Sequence, residues 1–215
     1  MKEFSIVAVS LINLFIGIRY SVLTIRGKIK PALAMWAFFT VAVIMSLTTY
    51  MANDNFSLLD NILNTTDVLL VTIITIIIFI FGDKSSKFTR FDKACLIAVI
   101  IISLFWFITQ THFLSHLMIQ SVLVIAYFPV IRRLWESKEN TEPFSIWILM
   151  MIAPIFALMS SKGILATIYS VRAVLCTGLL LLLMLRVEYL NCKKNNIIAK
   201  KISLKIPPFY KKKRA

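Results

Sequence analysis

The chain has 215 residues, 59% hydrophobic and 16% charged, with a formal net charge of +14. A mean hydropathy of +0.85 leaves too little polar surface for a soluble domain of this length, so most of the chain must face lipid or itself. The Lys and Arg avoid most of the apolar runs, which argues against a nucleic-acid binder and for a polytopic membrane protein.

A bilayer core about 30 Å thick needs roughly 20 residues of helix. On that length seven spans are expected, near 4–25, 32–51, 62–82, 92–109, 113–134, 144–161 and 165–187. The first follows Lys2 as a signal peptide would. No small-x-small cleavage site follows it, however, and Arg19-Tyr20 interrupts where cleavage would fall, so it reads as a retained span.

The connections alternate in charge along the chain. Arg26, Lys28 and Lys30 occupy the first, while the second holds Asp54 and Asp60 and no basic residue. Lys84, Lys87, Arg90 and Lys93 mark the third, and the fourth, TQTHFLSH, has neither Lys nor Arg. Arg132, Arg133 and Lys138 fall in the fifth, the single Lys162 in the sixth, and nine Lys and Arg follow Leu190. Basic connections mark the cytoplasmic side, which puts the N-terminus outside and the C-terminus inside, most simply in a bacterial inner membrane. Lys162 alone departs from the pattern.

Little in the chain suggests catalysis or a cofactor. Cys95, Cys176 and Cys192 form no metal-ligand spacing and no disulfide framework. His112 and His116 are four apart, but they read as part of a short external loop without an acidic or Cys partner nearby. No phosphate loop, nucleophile elbow or HExxH motif occurs, so neither an enzyme nor a metal or cofactor site is expected.

The chain repeats a pattern. Tyr20, Arg26, Lys28, Pro31 and Trp36 correspond to Tyr127, Arg133, Lys138, Pro143 and Trp147, with Arg six residues after Tyr in both copies. Ala42 and Leu47 follow the first Trp at the same offsets as Ala153 and Leu158 follow the second. Asn13 and Gln120 each lie seven residues before the Tyr. A parallel duplication needs copies that cross the membrane in the same sense, so helices 1–3 and 5–7 would be the copies and helix 4 an inverting linker.

With a basic segment and a Trp after the first helix of each half, the chain resembles the SWEET and PQ-loop superfamily, most closely its small bacterial members. FTRFDKACLIAVIIISLFWFIT, YFPVIRRLW and TIYSVRAVLCTGLLLLLMLR carry the resemblance. The fold that it implies is an all-α integral membrane protein with seven transmembrane helices in a 3+1+3 arrangement. Its parts are a first bundle (1–87), a linker helix (88–111), a second bundle (112–190) and a basic tail (191–215). The namesake Pro-Gln pair is absent: Pro129 precedes Val130. Pro129 and Pro154 place the hinge candidates in the second half, whereas the first half has only Pro31, at a helix entrance.

Polar side chains inside spans usually face a cavity or each other. Counted inward from each cytoplasmic end at about 1.5 Å per residue, Asn13, Asp67, Gln120 and Arg172 all lie about 20 Å deep. They come from equivalent helices of the two copies and frame a candidate binding site, with Tyr169 one turn before Arg172. Asp67 and Arg172 are expected to face each other, as ligands for a solute or as a structural ion pair. Tyr20, Tyr127, Trp36 and Trp147 are gate candidates, with packing and interfacial anchoring as the alternatives.

The resemblance implies a uniporter or facilitator working by alternating access on a small polar solute, a sugar by default. The alternatives are a proton-coupled carrier of a vitamin or amino acid using Asp67, and a non-transporting receptor, scaffold or assembly factor of the same fold. Expected partners are the solute, anionic lipid at the basic tail and a second copy of the chain, with no nucleic acid.

Overall fold

The computed structural model describes residues 1–29, 31, 33–53, 57–82, 90–136 and 143–205. The connections carrying Lys84, Lys87 and Lys138, and the tail from 206 to 215 with Pro207-Pro208, lie outside the described residues. All regular structure among the described residues is helical. In chain order it comprises α1 (Lys2–Ile25), α2 (Leu33–Asn53), a 3-10 turn (Leu58–Asn61), α3 (Ile62–Phe81), α4 (Arg90–Thr109), α5 (His112–Ile125), α6 (Phe128–Glu136), α7 (Phe144–Leu158) and α8 (Gly163–Lys205).

Four helical segments are long and apolar enough to cross a membrane: Lys2–Ile25, Leu33–Asn53, Leu58–Phe81 and Gly163–Lys193. Shorter apolar helices cover 100–109, 112–125 and 144–158. Their surfaces are inverted relative to a soluble protein. Phe79, Phe107 and Ile108 are more than two-thirds exposed, while Asn13, His116, Gln120 and Arg172 are buried. Such a chain belongs in lipid, where exposed apolar groups cost nothing and polar groups turn inward.

Helix ends follow local chemistry. α1 stops at Gly27, whose φ of +63° suits glycine. There the Lys28 N–H donates to the Leu23 carbonyl and the Gly27 N–H to the Thr24 carbonyl, both at 3.0 Å, closing a Schellman cap. α3 opens on Asn61, whose side chain accepts from the Asn64 N–H. α4 reverses into α5 through Gln110 and Thr111, with Gln110 at φ +52°.

Three expectations need correction. The run 113–134 is two helices, α5 and α6, separated at Ala126 and Tyr127. Pro129 has no N–H for the Ile125 carbonyl, so the ladder cannot run through. The last helix does not end near 187 but continues to Lys205, because no Gly or Pro occurs between Gly178 and Pro207 to stop it. His112 and His116 are not in a loop; they lie in the first turns of α5.

The packing order is the same on both sides of α4. α3 packs against both α1 and α2, and α8 packs against α7 and against α5 with α6. Between the two groups α2 meets α5 and α1 meets α7, while α4 lies on α5 and α2. At the end of the molecule away from the basic connections, Ser5 donates to the Phe156 carbonyl at 2.6 Å and lies 2.8 Å from Ser160. Lys2 pairs there with Asp60 at 2.6 Å, and the Lys162 N–H donates to the Asp60 carbonyl at 2.9 Å. With its ammonium 4.0 Å from Asp60 Oδ2, Lys162 joins a local acid–base cluster, which accounts for its place among connections otherwise without a basic residue. With Lys2 half exposed, the pair contributes at most about 1 kcal/mol.

Close approach of α1 and α3 depends on Gly17, where a Cβ would sit 3.1 Å from Leu70 Cδ1. Gly17→Ala asks only a flexible methyl to yield, whereas Gly17→Leu wedges the helices apart. We expect Gly17→Leu to destabilise the detergent-solubilised protein by about 1–3 kcal/mol and Gly17→Ala to shift its thermal midpoint little.

Candidate functional site

The polar residues form two networks, one around Asp67 and one around Gln120. In the first, Asn13 on α1 uses both hydrogens of its amide nitrogen. It donates to Thr66 Oγ1 at 2.7 Å and to Asp67 Oδ1 at 2.9 Å, both on α3. The other Asp67 oxygen accepts from the Tyr169 hydroxyl of α8 at 2.8 Å.

In the second, Gln120 on α5 accepts from Arg172 Nε of α8 at 2.8 Å. Its amide nitrogen donates to Ser46 Oγ at 2.9 Å and meets His116 Nε2 at 3.1 Å. With the amide as donor, His116 Nε2 is the acceptor and the ring proton sits on Nδ1. That nitrogen faces Thr49 Oγ1 at 3.1 Å, whose own hydrogen goes to the Met45 and Ser46 carbonyls. Turned so that its oxygen accepts from Ser46 at 3.0 Å, the Asn64 amide also donates to the Val43 carbonyl at 3.1 Å. Ser46, Thr49, His116 and Gln120 then each donate to an acceptor, as buried polar groups require.

The two networks correspond. In each half, the amide on the first helix bonds the charged residue on the third: Asn13 with Asp67, Gln120 with Arg172. The charges themselves are not in ion-pair contact. Tyr169 stands between them, donating to Asp67 while Arg172 lies over its ring at 4.7 Å. The sequence expectation of Asp67 facing Arg172 becomes a three-residue stack.

Beside this stack is a cavity of about 60 Å³, room for roughly four waters at about 15 Å³ each. Asn13, Asp67, Tyr169, Arg172 and Thr177 supply its polar wall. Asp67 is only half-buried, in contrast to the fully enclosed Tyr169. Met150 and Pro154 of α7 contribute as well. Pro154 has no N–H for the Met150 carbonyl, which loosens the hydrogen-bond ladder of α7 beside the cavity. Gln120 does not line the cavity; it holds Arg172 from behind.

The four aromatic gate candidates also come together. Tyr20 and Trp36 rings are 4.9 Å apart, and the indole N–H donates to the Tyr20 hydroxyl at 3.2 Å. Phe39 continues the series at 6.2 Å from Trp36 and 5.1 Å from Tyr127, and Tyr127 lies 6.3 Å from Trp147. Trp36 and Trp147 are 3% and 2% exposed, too enclosed for interfacial anchors. Trp36, Phe39, Tyr127 and Trp147 all line the cavity. Along α1, Asn13 lies seven residues from Tyr20, so the aromatic series sits about 10 Å nearer the basic connections. Pro129 marks the α5–α6 break just after Tyr127; its side chain lies outside the described residues.

His116, Ser46, Asn64, Thr66 and Phe39 were not legible as site residues. The spacing of His116 to Gln120 was available, since four residues on a helix share a face. Ser46 and Phe39 carry no signal that separates them from other residues in apolar helices.

No family model matches the chain, and no curated protein or solved structure matches it either.

Replacing His116 by Ala leaves one Gln120 N–H without its acceptor and opens a void beside Thr49. We expect a loss of about 1–3 kcal/mol, measured as a lower thermal midpoint in detergent, with His116→Ala less stable than His112→Ala. His112 accepts from the Trp106 indole at 2.9 Å and is only half-buried.

Proposed function

We propose that the chain is a seven-span membrane transporter of the SWEET and PQ-loop kind, moving a small polar solute by alternating access. The observation that carries this reading is the cavity. It opens at the level of Asn13, between helices of both halves, with two opposite charges in its wall that do not neutralise each other by direct contact. A receptor, scaffold or assembly factor of the same fold has no need of such a space, and its core would pack shut.

The repeated packing order supports a 3+1+3 arrangement, with α1–α3 and α5–α8 as the bundles and α4 as the linker. Contacts across the two groups, α2 on α5 and α1 on α7, are those of a pseudo-two-fold pair. In this reading the aromatic series is the inner gate and the Asp60 and Ser5 contacts hold the outer end together. The break before Pro129 and the missing hydrogen bond at Pro154 give the second bundle its freedom to rock. The basic connections face the cytoplasm of a bacterial inner membrane, and the tail rests on anionic lipid.

Reconstituted in proteoliposomes, the protein is expected to take up its solute without an ion gradient. Asp67→Ala and Arg172→Ala should each lose at least tenfold in rate; full activity in both refutes the assignment of the site. For topology, a cysteine placed at Lys28 in a cysteine-free background should react with membrane-impermeant reagent only after permeabilisation, and one at Ser57 before it.

A further inference from the structure

We infer that the cavity selects a compact zwitterion: a solute with a cationic nitrogen one or two carbons from a carboxylate. This deepens the transport reading, because it names what the same site takes.

Three observations lead there. First, the wall carries one carboxylate and one guanidinium, Asp67 and Arg172, both in contact with Tyr169 and not paired with each other: Asp67 at its hydroxyl, Arg172 over its ring. Their formal charges cancel. A zwitterion therefore enters with no net charge and meets an opposite charge at each end, whereas a simple anion faces Asp67 and a simple cation faces Arg172. In a low-dielectric interior that mismatch costs several kcal/mol. A neutral polyol uses neither charge and leaves both desolvated.

Second, each charge is held in place yet retains capacity. Asp67 takes one hydrogen bond on each oxygen, from Asn13 and Tyr169, and each oxygen can accept another. Arg172 commits Nε to Gln120 and also reaches the Tyr127 hydroxyl, and it lines the cavity with donors beyond these two. A planar guanidinium with terminal N–H groups to offer suits a carboxylate.

Third, the space is small and four aromatic side chains stand in its remaining, otherwise aliphatic wall. A cavity of about 60 Å³ favours a compact solute, and Trp36, Trp147 and Tyr127 put aromatic rings within reach of a cation. The nitrogen can thus be a primary ammonium bonded to Asp67 or an alkylated one seated on the rings. Both share the chemistry proposed.

The test is equilibrium binding to the full-length purified protein in nanodiscs, by calorimetry, with glycine, glycine betaine, acetate, tetramethylammonium and glucose. Glycine or glycine betaine should bind at least tenfold more tightly than acetate, tetramethylammonium or glucose. The stronger of the two zwitterions tells whether Asp67 or the aromatic wall receives the nitrogen. Asp67→Asn and Arg172→Gln should each weaken that binding at least tenfold. Because these variants can also disturb folding, the wild-type selectivity series decides by itself. Glucose or a singly charged ion binding as well as the zwitterions overturns the inference, and so does an absence of zwitterion binding. Zwitterion binding without uptake in proteoliposomes upholds the selectivity and refutes transport, so the two readings fail separately.

Discussion

A polar side chain inside an apolar bundle must find its partner within the bundle, because lipid offers none. That constraint organises this molecule. Asn13, Asp67, Gln120 and Arg172 stand in runs of Ile, Leu and Val, and each is held by a residue from another helix. The partnerships tie α1 to α3, α3 to α8, α5 to α2 and α5 to α8, all of which are packed pairs of helices. Individual bonds of this kind contribute only about 0.6–2 kcal/mol in membranes. Their larger effect is on register, since a rotation of one helix would strand several groups at once.

The two networks use the same plan with opposite charge. An amide on α1 orients an acid on α3, and an amide on α5 orients a base on α8. The Tyr–Trp pairs repeat as well, and Phe39 joins them across the middle. The symmetry stops at the turn after the tyrosine. α1 runs unbroken through Tyr20 and ends on a glycine cap, whereas the equivalent stretch breaks at Ala126 and Tyr127. Pro129, with no counterpart after Tyr20, accounts for that difference.

How much of this the sequence disclosed depended on which variable it encodes. Polar residues stand out in apolar runs: Asn13, Asp67, Gln120 and Arg172 could be singled out, and the structure bonds Asn13 to Asp67 and Gln120 to Arg172. Rotation about the helix axis is encoded poorly in helices apolar all round, because no polar face sets the phase. Hence Tyr169 could be singled out while its place between Asp67 and Arg172 could not. Trp36 and Trp147 illustrate the same limit, since a Trp near a helix end can point to the interface or inward. His116 was lost to a boundary, because TQTHFLSH reads as a loop until α5 is seen to begin at His112. The end of α8 was misjudged for a related reason. Hydropathy reports where lipid ends, and a helix without Gly or Pro has no cause to end there too.

That continuity of α8 has a mechanical meaning. At about 1.5 Å per residue, 43 residues make a rod of roughly 64 Å, about twice the thickness of the hydrocarbon core. Tyr169 and Arg172 lie near one end of it, and Lys193 and Lys205 lie beyond its apolar part. An unbroken helix has no soft joint between these points, so tilt imposed at the basic end is delivered to the stack beside the cavity. α5 and α6, with their break, lack this stiffness. A stiff helix and a broken one therefore meet where Gln120 of α5 bonds Arg172 of α8.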